Sequence, residues 1–303
     1  MFDRNWDATV RNAALEWLKA QVATYGDVLP RTLLADGFPL DGARVPLLSP
    51  KGIFKPRVLR EAPLSITTAP NGPYDDAFGP NDLLRYRYRG EDPEHPDNRG
   101  LRFAMQERLP LVYLHGLVPG RYVPAWPVFV VGDHRDGLTF TVAVDEERHR
   151  WPVARPGSAV HDDAEGPRRR YATAAVRQRL HQRAFRERVL TAYRNECAFC
   201  RFRHAELLDA AHIVPDTEAG EPVVPNGLAL CKLHHAAFDR NFLGVRPDYV
   251  VQVRRDLLDE EDGPTLVHGI QALHGARIRV PRSSVLQPDR QFLEIRYRTF
   301  RSA

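Results

Sequence analysis

The stretch that decides the fold of this 303-residue chain begins with Cys197-Ala-Phe-Cys200 and ends with Cys231-Lys-Leu-His234. Two ligands separated by two residues bind one ion from a tight turn, and two such pairs complete a closed tetrahedral site. All three cysteines of the chain lie in these pairs. The alternative, buried structural cysteines near a surface histidine, requires the same spacing to arise twice by coincidence. The pattern therefore predicts a structural Zn²⁺ site, which leaves no open position for a substrate.

The residues between and after these pairs carry further polar groups. Residues 207–213 are a short apolar run that contains His212, and they predict one strand of a hairpin. A helix predicted over residues 229–239 carries His235 and Asp239, which are four residues apart and therefore share one face. This pair is half of a site for a divalent cation, although the same spacing is also common on a solvated helix face.

The order of these elements resembles that of the HNH nucleases, which have a ββα-metal fold. Cys-x₂-Cys, Ala-His-Ile, Asn-Gly-Leu and Cys-x₂-His-His-x₃-Asp follow one another over residues 185–245, as in the zinc-containing branch found in modification-dependent restriction enzymes. The resemblance implies that His212 is the general base that activates water and that Asn226 holds the loop and the base in orientation. It also implies that His235 is a ligand of the catalytic cation, with Asp239 in or beside its coordination shell.

The residue before the implied general base departs from the family pattern. Many HNH nucleases have Asp or His there as a metal ligand, whereas this chain has Ala211. Asp209 is the nearest carboxylate, and a two-residue offset along a strand places it on the face of Ala211, so it is a candidate replacement ligand. The resemblance implies a single-metal mechanism that uses Mg²⁺ or another divalent cation such as Mn²⁺, Ni²⁺ or Co²⁺.

The half of the chain before residue 154 predicts a helix followed by several strands. Residues 7–25 place Val10 and Ala14 on one helix face and Arg11 on the other. Residues 138–144 alternate in hydrophobicity and predict a strand that pairs with an earlier one. This half contains no catalytic constellation, and it resembles in architecture the PUA-like and SRA domains, which hold a flipped, modified base.

One predicted strand of this half, residues 84–89, alternates arginine with tyrosine. The arginines would project from one face and the tyrosines from the other. Such a strand suits nucleic-acid binding by phosphate pairing and base stacking, although a solvated basic face above a buried aromatic face fits the same pattern. The candidate DNA contacts are Arg85, Arg87, Arg89, Tyr86 and Tyr88, and Tyr74, Asp75 and Trp126 are further candidates for a base pocket.

A polar, turn-rich segment at residues 154–167 predicts a linker between domains at 1–153 and 168–303. The second domain opens with a helix rich in arginine. A run of arginines is often a solvated helix face, but its position directly before the metal-binding motif favours contact with the phosphate backbone. The arginines of this helix are Arg168, Arg169, Arg170, Arg177, Arg179, Arg183, Arg186 and Arg188.

Composition sets the remaining limits. The formal net charge is +4, the hydrophobic fraction is 43% and the charged fraction is 27%, as in ordinary globular proteins. No apolar run approaches the roughly 18 residues of a membrane span, and the first residues do not resemble a signal peptide. Cysteines used in a metal site rather than in disulfides fit a reducing compartment, so we expect a cytoplasmic protein.

Together these features predict an α+β protein with a β-rich, PUA/SRA-like DNA reader domain and a C-terminal ββα-metal HNH nuclease domain with a structural zinc. We expect a metal-dependent endonuclease that binds double-stranded DNA, with restriction of modified DNA as the leading hypothesis. An HNH nuclease of recombination or mobile elements would share the motif. A non-catalytic zinc-containing DNA-binding protein is the alternative that Ala211 favours. Double-strand cleavage by one active site per chain favours a homodimer or transient pairing of two chains on DNA.

Overall fold

The structure, a computed structural model, describes residues 2–69, 77–78, 83–144, 165–215 and 220–303, without the side chains of residues 77–78 and 165–172. These residues form two compact units, Met1–Arg183 and Ala184–Ala303. The division falls within one long helix, Glu165–Ala192, whose first residues are the last three of the predicted linker. Residues 154–164 of that linker lie outside the described part of the chain. None of the described helices is both long and apolar enough to span a membrane.

The first unit is built on a mixed sheet with helices beside it. Its strands are β1 (Leu29–Pro30), β2 (Phe38–Leu40), β3 (Ala43–Val45), β4 (Ile53–Phe54), β5 (Ser65–Thr68), β6 (Ala77–Phe78), β7 (Leu84–Arg87), β8 (Leu111–Val118), β9 (Arg121–His134) and β10 (Thr139–Val144). The main sheet has the order β4-β5-β8-β9-β10-β7-β6, with β1 also paired to β9, while β2 and β3 form a separate hairpin. Strands β5 and β8 are parallel. The helices are α1 (Arg4–Tyr25), α2 (Arg31–Asp36), α3 (Pro96–Gln106) and the first part of α4 (Glu165–Ala192).

Helix α1 has a capped N-terminus and carries a buried arginine. The Asp3 carboxylate accepts hydrogen bonds from the amides of Asn5 and Trp6, which have no partner within the helix. The predicted apolar face is buried, but the prediction that Arg11 lies on the solvent face is wrong. Arg11 is fully buried, where it pairs with Asp7 at 2.5 Å and donates to the carbonyl oxygens of Pro63 and Pro110. A buried charge persists when it is paired and hydrogen-bonded, and sequence periodicity cannot distinguish that case from an exposed arginine.

The alternation predicted for residues 84–89 is present in the structure. Tyr86 and Tyr88 are buried, whereas Arg85 and Arg87 are exposed. The Tyr88 ring stacks on Phe140 of β10 with ring centroids 4.5 Å apart. The pairing of β9 with β10 is also as predicted.

The second unit contains the metal-binding motif. After the end of α4 it contains β11 (Leu208–His212), β12 (Gly227–Cys231), α5 (Lys232–Asp239), β13 (Leu243–Val245), β14 (Val251–Val253), α6 (Arg255–Leu258), α7 (Pro264–Gly269) and α8 (Arg290–Ser302). Strands β11 and β12 pair antiparallel, with His212 opposite Gly227, and α5 follows directly. This is a ββα arrangement. The helix predicted from residue 229 begins instead at Lys232, because residues 229–231 continue the ladder with β11.

Candidate metal centre and active site

Four side chains converge at the junction of β12 and α5. The donor atoms of Cys197, Cys200, Cys231 and His234 all lie within 4.8 Å of one another. The Sγ atoms of Cys200 and Cys231 are 4.0 Å apart, and the His234 Nδ1 atom is 3.5 Å from the Cys197 Sγ atom and 3.2 Å from the Cys231 Sγ atom. Zn–S bonds of about 2.3 Å in a tetrahedron place two sulfurs about 3.8 Å apart. The donor set and its spacing therefore fit a tetrahedral zinc ion.

Backbone groups orient these ligands. The His234 Nε2–H donates to the carbonyl oxygen of Gly269 on α7 at 2.7 Å, which leaves Nδ1 directed at the three sulfurs. The amide of Cys231 donates to the Cys197 Sγ atom at 3.3 Å, a contact that favours the thiolate. Cys197 and His234 are thus both hydrogen-bonded to backbone groups, as expected for a structural metal site.

The contacts among these four side chains shift their pKa values. Burial lowers the pKa of His234, but its contacts with the Cys197 and Cys231 thiols outweigh burial and raise that pKa to about 10. The contact with Cys200 lowers the pKa of Cys197, and the contact with Cys197 lowers the pKa of Cys231. A metal ion that binds these atoms must displace the protons they hold, so the affinity for zinc falls as the pH falls.

His212, at the end of β11, is held by packing on one side of its ring. The Phe185 ring from α4 stacks on the imidazole with centroids 4.0 Å apart and an interplanar angle of 12°. Gly227, opposite His212 in the ladder, allows this approach, because a Cβ atom there would lie 2.5 Å from Val189 and 2.9 Å from Phe185. The ring plane of His212 is therefore set by a helix that precedes the motif.

Asn226 fixes the chain that leaves His212. Its side chain is fully buried, accepts the Val214 N–H at 2.9 Å, and donates to the carbonyl oxygens of Val214 and Glu221 at 3.0 Å each. Gly220 makes room for this arrangement, since a Cβ atom there would lie 1.9 Å from the Val214 carbonyl oxygen. Asn226 thus joins β11, β12 and the connection between them.

His235 lies between two carboxylates on the exposed side of α5. Its Nδ1 atom is 3.7 Å from the Asp209 Oδ2 atom, and its Nε2 atom is 3.3 Å from the Asp239 Oδ2 atom. The contact with Asp209 raises the pKa of His235. Burial raises the pKa of Asp209, but hydrogen bonds with His235 and Lys232 outweigh burial and hold it below the ordinary value. Asp209 is therefore an anion held by Lys232, whose Nζ atom is 2.5 Å away.

His212, His235 and Asp239 line one cavity of about 340 Å³ together with Pro215 and Arg296. The cavity therefore brings together two imidazoles and a carboxylate in a space that admits a phosphate group and water. Asp209 is not among the residues that line it.

Comparison with known proteins identifies this segment. Residues 197–246 match the family described as HNH endonuclease. The segment is similar to an HNH endonuclease domain. Within it lie His212, Asn226 and His235, and the match supports a nuclease.

Two solved structures are also similar to the chain, both at low identity. The modification-dependent TagI restriction endonuclease is 18% identical, with 91% of this chain and 88% of that chain covered and a TM-score of 0.31. The Type IV phosphorothioation-dependent restriction endonuclease ScoMcrA is 16% identical, with 78% of this chain and 56% of that chain covered and a TM-score of 0.21. No curated protein matches the chain.

The candidate DNA contacts of the first unit fall into different environments. Tyr86, Tyr88, Arg87 and Arg89 line a second cavity, of about 430 Å³. Trp126 instead packs against the hydrophobic core of that unit. Tyr74 and Asp75 lie outside the described residues, as do the side chains of Arg168, Arg169 and Arg170, and Arg85 is exposed.

Two later arginines of α4 have intramolecular partners in the second unit. The Arg186 Nη2 atom donates to the carbonyl oxygens of Ala205 and Leu208, and the Arg188 Nη2 atom donates to that of Pro222. Burial lowers the pKa of Arg188. These two side chains hold loops of the second unit, and contact of the arginine run with the phosphate backbone stays a prediction.

Sequence reasoning missed three groups at the site: the Phe185 ring, the Gly269 carbonyl and the Arg296 guanidinium. Phe185 lies on the buried, apolar face of α4. A helical projection of the sequence identifies that face, but it does not show that the Phe185 ring stacks on His212. Gly269 and Arg296 follow the matched segment by more than twenty residues, and no local pattern connects them with it.

Proposed function

We propose that this protein is a divalent-cation-dependent DNA endonuclease in which the HNH domain cleaves DNA that the first unit selects through a modified base. The observation that carries the cleavage part is the single cavity lined by His212, His235 and Asp239 in a family of nucleases. Hydrolysis of a phosphodiester requires a base near the attacking water and positive charge near the phosphate. The cavity offers groups for both tasks.

His212 is the general base in this proposal. A histidine accepts a proton from water near neutral pH, and proton transfer by a positioned side chain contributes about 10²- to 10⁴-fold to rate. The Phe185 stack and the Asn226 hydrogen bonds fix the ring and the chain that follows it. Water attacks the phosphorus, its proton passes to His212, and the bond from phosphorus to the leaving oxygen breaks.

His235 and Asp239 are the cation ligands in this proposal. One imidazole nitrogen and one carboxylate oxygen 3.3 Å apart face the cavity, and this donor set suits Mg²⁺, Mn²⁺, Co²⁺ and Ni²⁺. A cation bound there would supply charge stabilisation for the phosphate and the leaving oxygen. Asp209 lies at the other ring nitrogen and outside the cavity wall, so its role is to orient His235 rather than to replace the ligand missing at Ala211.

The second cavity supports the selection part of the proposal. Its volume of about 430 Å³ lies in the range of small-ligand pockets. Tyr86, Tyr88 and Tyr122 are buried and form part of its wall, and Arg31 and Lys51 offer positive charge for the backbone beside an extruded base. A site of this kind in a unit separate from the nuclease fits base recognition by extrusion from the helix, as in the SRA and PUA-like domains that the sequence resembles.

The cleavage proposal is tested with matched plasmids that carry unmodified, methylated, hydroxymethylated or phosphorothioated DNA, each incubated with the protein and one divalent cation. We expect strand cleavage that requires both the cation and a modification. The His212→Ala variant should bind the same DNA and fold normally but not cleave it. Cleavage retained by that variant would remove His212 as the base, and equal cleavage of all four plasmids would refute modification dependence.

The second cavity is tested by filling it from Gly52. A Cβ atom at Gly52 would lie 3.1 Å from the Tyr86 hydroxyl and 3.4 Å from the Thr67 carbonyl oxygen, both in the wall. Gly52→Leu should therefore weaken binding of the preferred modified DNA by at least tenfold. Gly137→Leu, in the same unit, is the control, because its Cβ atom would meet only an ordinary contact with Thr139 at 3.6 Å. Unchanged selectivity in Gly52→Leu would place base recognition elsewhere.

A further inference from the structure

Arg296 lies on α8, fifty residues after the end of the segment that matches the HNH family. Its half-buried side chain nevertheless lines the cavity with His212, His235 and Asp239. Among the described residues of this cavity wall, Arg296 carries the one permanent positive charge. A guanidinium keeps its proton throughout the pH range of proteins, whereas the two imidazoles do not.

The guanidinium is fixed at the C-terminal end of α5. Its Nη2 atom donates to the carbonyl oxygens of Phe238 at 2.6 Å and Asp239 at 3.3 Å, and its Cζ atom is 4.8 Å from the centroid of the Phe238 ring. The last carbonyls of a helix lack partners within the helix and carry partial negative charge, so a cation is favoured there. Arg296 is therefore held rigidly against the helix that carries His235 and Asp239.

Phosphodiester hydrolysis increases the negative charge on the phosphate oxygens in the transition state. Preorganised donors directed at such charge accelerate a reaction without reorganising during it. The planar guanidinium matches phosphate geometry better than a lysine ammonium does. Resting on the proposed cleavage of DNA at this cavity, we propose that Arg296 donates hydrogen bonds to a non-bridging oxygen of the scissile phosphate. It transfers no proton, so the attacking water still passes its proton to His212.

A purely structural cap on α5 is the competing account, and it predicts different measurements. If Arg296 only supports the helix, its loss should lower thermal stability and the cation affinity of His235 and Asp239, with kcat restored at saturating cation. If it contacts the phosphate, kcat should fall at saturating cation by a factor that does not depend on pH, because a guanidinium does not titrate there.

The experiment compares Arg296→Gln and Arg296→Lys with wild type in the full chain. Gln retains an N–H donor for the two carbonyls but removes the charge, and Lys retains the charge without the planar fork. Arg298→Gln is the matched control, because Arg298 lies on the same helix, is exposed and pairs with Glu294. For each variant we would measure kcat and KM on the preferred plasmid at saturating Mn²⁺, the affinity for Mn²⁺ without DNA, and the midpoint of thermal unfolding.

We expect kcat to fall about 100-fold in Arg296→Gln and about 10-fold in Arg296→Lys, in line with the loss of one donor to a developing anion. Mn²⁺ affinity should remain within threefold of wild type, and Arg298→Gln should match wild type throughout. A kcat for Arg296→Gln within threefold of wild type, or a loss that saturating Mn²⁺ reverses, would overturn the phosphate contact. A wild-type protein that cuts no DNA would instead remove the proposed function, and the phosphate contact with it.

Discussion

The stack of Phe185 on His212 allows a test of whether the packing of the proposed general base, and not only its presence, determines activity. Phe185 is 2% exposed, so Phe185→Ala should cost about 3–5 kcal/mol of unfolding free energy, of which the ring pair accounts for about 0.5–1.5 kcal/mol. Phe185→Leu keeps most of the volume and should cost about 1–2 kcal/mol. Since domains are stable by about 5–15 kcal/mol, the Leu variant should stay folded while its imidazole loses orientation. We expect kcat to fall roughly tenfold, part of the contribution of a general base.

The assay must follow the second unit alone. All four tryptophans precede residue 152, so their fluorescence reports on the first unit. Unfolding of the second unit is better followed by release of zinc to a chromogenic chelator, alongside kcat at saturating DNA and cation. Val253→Ala is the control. Val253 lies on β14 in the same hydrophobic core as Phe185, and its truncation should lower the unfolding free energy by about 2 kcal/mol without changing kcat. Full kcat in Phe185→Leu, or an equal loss in Val253→Ala, would refute the orientation argument.

Three further outcomes follow from the HNH domain. Cys231→Ser should lose zinc and unfold the second unit together, because the binding free energy of a structural zinc contributes directly to the free energy of folding. Elemental analysis and circular dichroism check this, and a folded, zinc-free variant would contradict it. Asn226→Ala should lower the unfolding free energy by about 2–4 kcal/mol through three lost hydrogen bonds, and slow hydrogen exchange retained at the Val214 amide would argue against this. Asp209→Asn should weaken Mn²⁺ binding by about 10- to 100-fold, as expected for a residue that orients a metal ligand. Isothermal titration calorimetry measures the Mn²⁺ affinity, and an unchanged affinity would show that Asp209 does not orient His235.

The cluster of candidate metal ligands was predictable from the sequence because its chemistry depends on residue type and short spacing. Cys197 and Cys200 share one turn, Cys231 and His234 share another, and a tetrahedral ion needs little more. The first strand of the antiparallel hairpin also followed from its apolar run, residues 207–213. The start of α5 did not, because Ala229 and Leu230 are apolar and buried, and such a run fits a strand as well as a helix.

Other features depend on contacts between distant parts of the chain. The buried pair of Arg11 with Asp7 has the same spacing as a pair on a solvated helix surface, so hydrophobic periodicity placed Arg11 on the wrong side. Arg296 reaches the cavity only because α8 packs beside α5 and β13, a long-range arrangement that leaves no local pattern. The role proposed for Asp209 rests on which ring nitrogen of His235 it faces, and strand geometry alone cannot give that.

The hydrogen bond from His234 to the Gly269 carbonyl has a consequence for protein engineering. Residues 197–246 carry all four candidate zinc ligands, yet the partner that orients one of them belongs to α7 and lies twenty-three residues beyond that boundary. A transplanted nuclease module cut at residue 246 would leave an imidazole donor without its acceptor beside the ion. A graft onto another DNA-binding scaffold should therefore include the chain through α8, so that the portable module is about twice as long as the recognisable motif.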